Sequence, residues 1–433
     1  MRLDIKNFAK IKEAHIIVDG ITVIAGENNT GKSTIGKILF SLFNAISDLD
    51  SKIMAQRSTE IEKESSKTIQ SYGTKTIQSS FRNKYIVPQK IRRKINDSLK
   101  KGELDYAKVF DILGEILKET RGMETEEARQ NVQDILTEKI LGIIELPEER
   151  IAKEILSRYF NRVFFGEVNS LLEPQTLASL ELTIKKNKIK MDFGLNKCRA
   201  FQAEVNILNK ALYIANPFII DKIRDTDDEF YNFDIMERFL LDVLTDSSKK
   251  DLMDGVISSV MAKEKLTDVD KILSQVISGS ILEEQGHEYY LEQENLKEPV
   301  FINNLSTGMK SFLILKMLIE KGCINEKDVL ILDEPEIHLH PQWQIVYAEL
   351  IVLLQKYFDL SVIITTHSPY FADAIDLFSK KHEIGDRVNY YLASVENGWA
   401  KMENVTENLE LVYQKMATPV QILDTMRYEL NND

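Results

Sequence analysis

Cysteine is nearly absent from this 433-residue chain. Cys198 and Cys323 stand far apart and form no CxxC pair, which excludes a disulfide framework and implies free, buried thiols in a reducing compartment. No apolar run is long enough to span a bilayer. Met1-Arg2-Leu3-Asp4-Ile5-Lys6 alternates like a strand and lacks the apolar stretch of a secretion leader, so a cytoplasmic protein that uses no membrane is expected. Internal repeats and low-complexity linkers are missing as well. Basic excess is also lacking: 55 Lys and Arg face 68 Asp and Glu, for a net charge of −13. A uniformly acidic surface repels nucleic acid, so any DNA or RNA contact needs a local basic patch. What remains, 43% hydrophobic and 28% charged residues, is the composition of a globular chain with two or three domains' worth of core.

One stretch organises the rest. Gly26-Glu27-Asn28-Asn29-Thr30-Gly31-Lys32-Ser33 fits G-x-x-x-x-G-K-[ST], the phosphate-loop pattern. Gly26 and Gly31 let the backbone turn so that N–H groups point inward at phosphate oxygens. Asn28, Asn29, Thr30 and Thr34 complete the cradle. Lys32 is expected to reach the β- and γ-phosphates of ATP, and the Ser33 hydroxyl to bind Mg²⁺. The flanks agree: Ile21 to Ala25 is a short β-branched run that predicts a buried strand, and Ser33 to Phe40 has helical apolar spacing.

From about Asn44 to Leu172 glycine and proline thin out, charge rises, and apolar residues recur at three and four. Val109, Ile112, Leu113, Ile116 and Leu117 form one stripe. Ile135, Ile140, Ile143 and Ile144 form another, and Ile151, Ile155 and Phe160 continue it after Pro147. The pattern predicts a helical insertion without sustained heptads. Within it, residues 82–101 carry Arg82, Lys84, Lys90, Arg92, Arg93, Lys94, Lys100 and Lys101 against Asp97 alone, beside Phe81 and Tyr85. Two readings stand: a surface for a nucleic-acid backbone or an acidic partner, or a solvated helix face paired with acidic neighbours such as Glu60 to Glu64.

Strand signals return at 178–193, where Leu180, Leu182 and Ile184 alternate, then Ile189, Met191 and Phe193, around a turn expected at Lys186-Asn187-Lys188. Ala211 to Ala215 reads as a buried strand and 234–277 as helical. Ile281-Leu282, Tyr289 to Leu291 and Val300 to Ile302 read as short strands.

Val329-Leu330-Ile331-Leu332-Asp333-Glu334 is an apolar strand ending in two carboxylates. A parallel strand buried on both faces is continuously apolar, and its C-terminal end is where an open α/β sheet binds ligands. Asp333 is expected to hold Mg²⁺ and Glu334 to polarise the attacking water. Ser361 to Thr366 is a further apolar strand, followed by His367, which would reach the γ-phosphate. Asn304-Leu305-Ser306-Thr307-Gly308-Met309-Lys310 precedes an apolar helix, Phe312 to Ile319, and offers a second anion-binding helix start.

In this order the motifs resemble the ATP-binding-cassette (ABC) ATPase fold. Ile5-Lys6-Asn7-Phe8-Ala9-Lys10-Ile11, Asp333-Glu334-Pro335-Glu336-Ile337-His338-Leu339-His340-Pro341 and Thr366-His367-Ser368-Pro369 resemble its RecF/SMC-like branch. Within that branch they are most similar to ATPases related to the overcoming-lysogenisation-defect (OLD) proteins. The likeness covers residues 1–44 and about 205–410. It implies an α/β fold: an ABC-type P-loop head with a mainly parallel sheet, an antiparallel subdomain and a helical insertion. The head would comprise residues 1–44 and 173–433, with the insertion at 45–172.

The resemblance further implies that two protomers sandwich ATP, with Ser306 and Gly308 of one capping the γ-phosphate held by the other. Glu334 would be the general base and His367 the γ-phosphate sensor. Thr307 and Met309 depart from the usual signature, and Asn216 stands where a Q-loop residue is expected. Glu336, His338 and His340 have the composition of a metal site, but the resemblance makes them a structural segment. The chain after His367 is too short for the Toprim nuclease domain of OLD nucleases. The implied protein is an ATP hydrolase whose homodimer, or higher oligomer, controls a separately encoded effector, a nuclease or toxin of phage defence. A RecF-like DNA clamp and a nucleotide-gated scaffold with negligible hydrolysis are the alternatives.

Overall fold

The computed structural model describes residues 1–72, 82–120, 125–227, 234–245, 267–284, 288–293 and 296–432. Phe81 and residues 246–266 of the expected helical stretch lie outside the described residues. The chain forms two compact units, one of residues 1–47 and 156–433, the other of 48–155.

The first unit opens with strands β1 (Arg2–Phe8), β2 (Ile11–Ile17) and β3 (Ile21–Gly26) and helix α1 (Lys32–Ile46). The second unit holds α2 (Leu49–Tyr72), α3 (Val87–Lys100), α4 (Tyr106–Lys118), α5 (Glu126–Ile144) and the start of α6 (Glu148–Val163). Its core takes the Val109, Ile112, Leu113, Ile116 and Leu117 stripe as spaced. On α5 the buried residues are Val132, Leu136 and Ile140 instead of Ile135, Ile143 and Ile144. On α6 they are Ala152, Leu156 and Phe160, one position on from the expected Ile151 and Ile155. Leu156, Phe160 and Val163 belong to the first unit's core, which is why the second unit ends well before residue 172.

The chain then makes β4 (Ala178–Ile184), β5 (Asn187–Gly194), β6 (Lys197–Ala203) and β7 (Ala211–Ile214). Ile184 pairs with Asn187, so the hairpin turns at Lys185-Lys186, one residue earlier than the sequence pattern indicates. After α7 (Ile235–Thr245) and α8 (Thr267–Ser274), strands β8 (Ser280–Glu284), β9 (Glu288–Glu292) and β10 (Val300–Phe301) form a separate small sheet. Next come α9 (Thr307–Glu320), β11 (Val329–Asp333), α10 (Pro341–Phe358), β12 (Ser361–Thr366) and α11 (Pro369–Lys381). β13 (Val388–Glu396), β14 (Trp399–Asn404) and α12 (Glu410–Asn432) close the chain.

Eleven strands form one continuous mixed sheet in the order β6-β5-β4-β1-β2-β14-β13-β3-β12-β11-β7. The expected parallel and antiparallel parts are thus halves of a single sheet. β7, β11, β12, β3 and β13 run parallel, and β13–β14 and the strands from β2 to β6 supply the antiparallel pairings. β3, β7, β11 and β12 are buried along nearly their whole length because both faces are covered. Alternate residues go to opposite layers. Leu330, Leu332, Val362 and Ile364 pack with Phe312 of α9, Tyr347 of α10 and Phe371 of α11. Val329, Ile331 and Ile363 pack with Ile35, Ile38 and Leu39 of α1. Among the described residues no helix is long and apolar enough to cross a membrane.

Candidate nucleotide site

β3 ends at Gly26 and α1 begins at Lys32, so residues 26–31 form the loop between a buried strand and a helix start. Two glycines there are required by geometry. Gly26 lies at φ 155° against β13, where a Cβ would stand 2.4 Å from the Ala393 carbonyl oxygen. Gly31 lies at φ 84°, and a Cβ would meet that of Ala400 at 2.9 Å. Inside the loop Thr30 is buried and its hydroxyl donates to the Glu27 carbonyl at 2.8 Å, while the Thr34 N–H donates to the Gly31 carbonyl at 3.2 Å. Asn29, in the left-handed region at φ 62°, accepts from Lys10 Nζ at 2.9 Å. Asn28 is exposed.

The Lys32 side chain is 3% exposed and folds back over the loop. Its ammonium donates to the Gly26 carbonyl at 3.0 Å and the Glu27 carbonyl at 2.8 Å. Burial lowers its pKa, and Glu334, Asp333 and Glu336 oppose that by favouring the cation. The Ser33 hydroxyl donates to Asp333 Oδ1 at 2.9 Å, which joins the start of α1 to the end of β11. Thr365 also donates to Asp333 Oδ1, and Tyr213 donates to Oδ2. Burial beside Asp333 holds the Tyr213 hydroxyl far above its ordinary range, so it stays a donor. A hydroxyl and a carboxylate, both oxygen donors at a helix start, fit Mg²⁺ and not a soft metal.

Glu334 leaves the strand at φ 53°, an unusual region for a non-glycine residue, and functional sites concentrate such positions. Its N–H is held by the Thr365 carbonyl at 3.1 Å and the Thr365 hydroxyl at 3.0 Å. Its carboxylate contacts His367 Nε2 and lies 3.8 Å from Lys32 Nζ. His367 Nε2 is also 3.2 Å from Lys32 Nζ. One ring nitrogen can donate to the carboxylate or accept from the ammonium, not both, so the three side chains share a single switchable contact.

Lys32, Ser33, Asp333, Glu334 and His367, chosen by motif from three separate segments, therefore meet in one place. Ser306 and Gly308 do not join them. Among the described residues no hydrogen bond or ion pair links either to the phosphate loop. Ser306 caps α9, accepting from the Met309 N–H at 3.4 Å, and a Cβ on Gly308 would lie 2.8 Å from the Trp343 ring. Asn216 is exposed at the end of β7 and accepts from the Phe218 N–H at 2.9 Å. His338 and His340 do not converge with Glu336. His340 caps α10, the His338 ring meets Phe218 edge-on, and among the described residues no three metal-binding side chains gather. Tyr213 and Thr365 were not singled out by sequence, since each reads as an ordinary strand residue until the sheet order places it beside Asp333.

In the basic segment 82–101, Lys90, Arg92 and Lys94 form ion pairs with Glu119, Glu62 and Glu115 within the second unit. Lys84 lies over the Tyr85 ring. Arg93, Lys100 and Lys101 form no ion pair among the described residues.

A strand-loop-helix facing the carboxylate end of a parallel neighbour two strands away places the chain among the P-loop ATPases. The family follows from the sequence at large: residues 1–372 match the AAA ATPase domain family, and the chain belongs to it. Solved structures similar to this chain include the SMC head domain from Thermotoga maritima, at 12% identity and a TM-score of 0.39, covering 93% of this chain and 98% of that one. Another is the Smc head domain with an extended coiled coil from Pyrococcus furiosus, crystallised with the C-terminal domain of ScpA. It is 14% identical with a TM-score of 0.34, and 98% of each chain is covered.

Proposed function

We propose that this P-loop ATPase hydrolyses ATP and uses nucleotide-gated dimerisation to control a separately encoded effector, in the manner of OLD-related ATPases. The convergence of Lys32, Glu334 and His367 beside the Ser33–Asp333 pair carries the hydrolytic reading. Lys32 and the loop N–H groups hold the β- and γ-phosphates. Ser33 and Asp333 would hold Mg²⁺, which would supply charge neutralisation at the phosphates. Glu334 accepts a proton from the attacking water, and His367 senses the γ-phosphate. When that phosphate arrives Lys32 turns toward it, leaving His367 Nε2 to Glu334. Ser306 and Gly308 act in trans: among the described residues neither has a phosphate-loop partner in its own protomer, and a second copy would bring them to one. The effector is a nuclease or toxin, as in phage-defence pairs.

Steady-state ATP turnover, with and without duplex DNA and beside Glu334→Gln, tests this. Turnover that ignores DNA and is lost in Glu334→Gln is the expected result. Stimulation by DNA would favour a RecF-like clamp, a reading the internal ion pairs of Lys90, Arg92 and Lys94 disfavour. Wild-type turnover no higher than that of Glu334→Gln would leave a nucleotide-gated scaffold.

A further inference from the structure

We infer that Glu336 is a positioning residue of the hydrolytic site, its carboxylate fixing the place of His367 and, through His367, that of Glu334. The inference rests on the hydrolase reading above and adds a residue to it.

Glu336 is 4% exposed, in the turn after β11. Its Oε1 accepts from three consecutive residues at the end of β12: the Thr366 hydroxyl at 2.6 Å, the His367 N–H at 2.7 Å and the Ser368 N–H at 3.2 Å. A ring of contacts closes behind it. The Ser368 hydroxyl donates to Gln344 Oε1 at 2.9 Å, and Gln344 Nε2 donates to the Glu336 carbonyl at 3.4 Å. One side chain thus ties the turn that carries Glu334 to the strand end that carries His367. Both catalytic side chains leave the sheet there, and each fixes where the other can reach.

Only one oxygen of this carboxylate is put to use. Its other oxygen, Oε2, is buried and has no hydrogen-bond partner among the described residues. A buried polar atom without a partner is costly, whereas losing Oε1 would leave the Thr366 hydroxyl and the His367 and Ser368 N–H groups without their acceptor. Burial also pushes the Glu336 carboxyl above its ordinary range, against the donors from Thr366 and His367. What the residue supplies is the accepting oxygen at the end of a side chain of this length.

The test compares Glu336→Gln, Glu336→Asp and Glu336→Ala in the full chain. Gln keeps an oxygen able to accept all three bonds. Asp keeps the charge but draws it back by one methylene, and Ala removes both. Steady-state turnover and amide hydrogen exchange of residues 366–368 are both read. A misplacement of about 1 Å costs on the order of 100-fold in rate, so Ala and Asp are expected to lose about 10- to 100-fold in kcat with KM for ATP within about twofold. Gln should stay within about threefold of wild type by the same reasoning. Exchange at His367 and Ser368 should accelerate in Ala and Asp and not in Gln. If Ala fails to fold, Asp carries the comparison. Asp and Ala with wild-type kcat and exchange would overturn the inference, and so would Gln as damaged as Ala. If wild-type turnover does not exceed that of Glu334→Gln, the hydrolase reading has failed. The exchange pattern then decides separately whether Glu336 holds the His367 segment.

Discussion

Gly36 sits one helical turn after Lys32, on the face of α1 that meets β11. A Cβ there would come within 2.7 Å of Ile331 Cγ2 and 3.2 Å of Tyr213 Cε2. Carbon atoms pack at about 3.5–4.0 Å, so Gly36→Ala requires α1 and β11 to separate by about 1 Å. Overpacking of this kind costs about 1–3 kcal/mol. Alanine returns about 1 kcal/mol through helix propensity, for a net loss of about 0–2 kcal/mol. In melting temperature that is at most about 2–4 °C per kcal/mol. The catalytic consequence is expected to be larger than the thermodynamic one. Ser33 and Asp333, joined at 2.9 Å, lie on the two elements being pushed apart, and Tyr213 holds the same carboxylate. Turnover should fall by about tenfold or more, since sub-ångström placement governs the rate. Replacing Ile331 by Leu in the Gly36→Ala background removes the β-branch methyl at nearly constant volume and should restore part of both properties. Thermal melts and steady-state ATPase assays of the three proteins suffice. Gly36→Ala with wild-type turnover and an unchanged or higher melting temperature would refute the close α1–β11 contact on which the metal pair depends.

Three further outcomes follow from the same geometry. Lys32 titrates below the ordinary lysine value of 10.5, chiefly because it is buried. Between its lowered pKa and 10.5 the unfolded chain binds more protons, so stability of the nucleotide-free protein rises with pH there relative to Lys32→Met, while ATP affinity falls as the cation is lost. Chemical denaturation and ATP titration against pH read both trends. Tyr213→Phe frees Asp333 Oδ2 from its buried donor, and Mn²⁺ binding followed by electron paramagnetic resonance should weaken by about tenfold. Gly308→Ala drives a methyl into the Trp343 ring, so it should destabilise by about 1–3 kcal/mol and shift the tryptophan emission. Unchanged emission would show that Gly308 is not packed beneath that ring.

The parallel core was legible because burial on both faces leaves a short unbroken apolar run in the sequence, as in Val329 to Leu332 and Val362 to Ile364. Asp333, Glu334 and His367 sit where those runs end, so the motif alone brought together side chains 300 or more residues apart. β6 escaped notice since only Cys198 of its seven residues is buried, and an edge strand with so few buried positions carries no alternating signal. β13 and β14 were not recognised either, although β13 lies beside the phosphate-loop strand and supplies the Ala393 carbonyl that Gly26 must approach. Register errors on α5 and α6 arose where isoleucines flank the buried stripe, so hydrophobicity alone did not mark its centre. Tyr213 and Thr365 became visible, and the part played by Glu336 emerged, only through the sheet order, because each contacts a residue from a different strand or turn.

The proposed hydrolytic site is completed by a second copy of the chain. Its most direct test is the solution mass of Glu334→Gln, expected to bind nucleotide without consuming it, measured with and without ATP and Mg²⁺. The chain mass is 49.8 kDa. ATP is expected to convert monomer to dimer, and Ser306→Arg to abolish the conversion while ATP still binds. An unchanged mass at saturating bound ATP would contradict it.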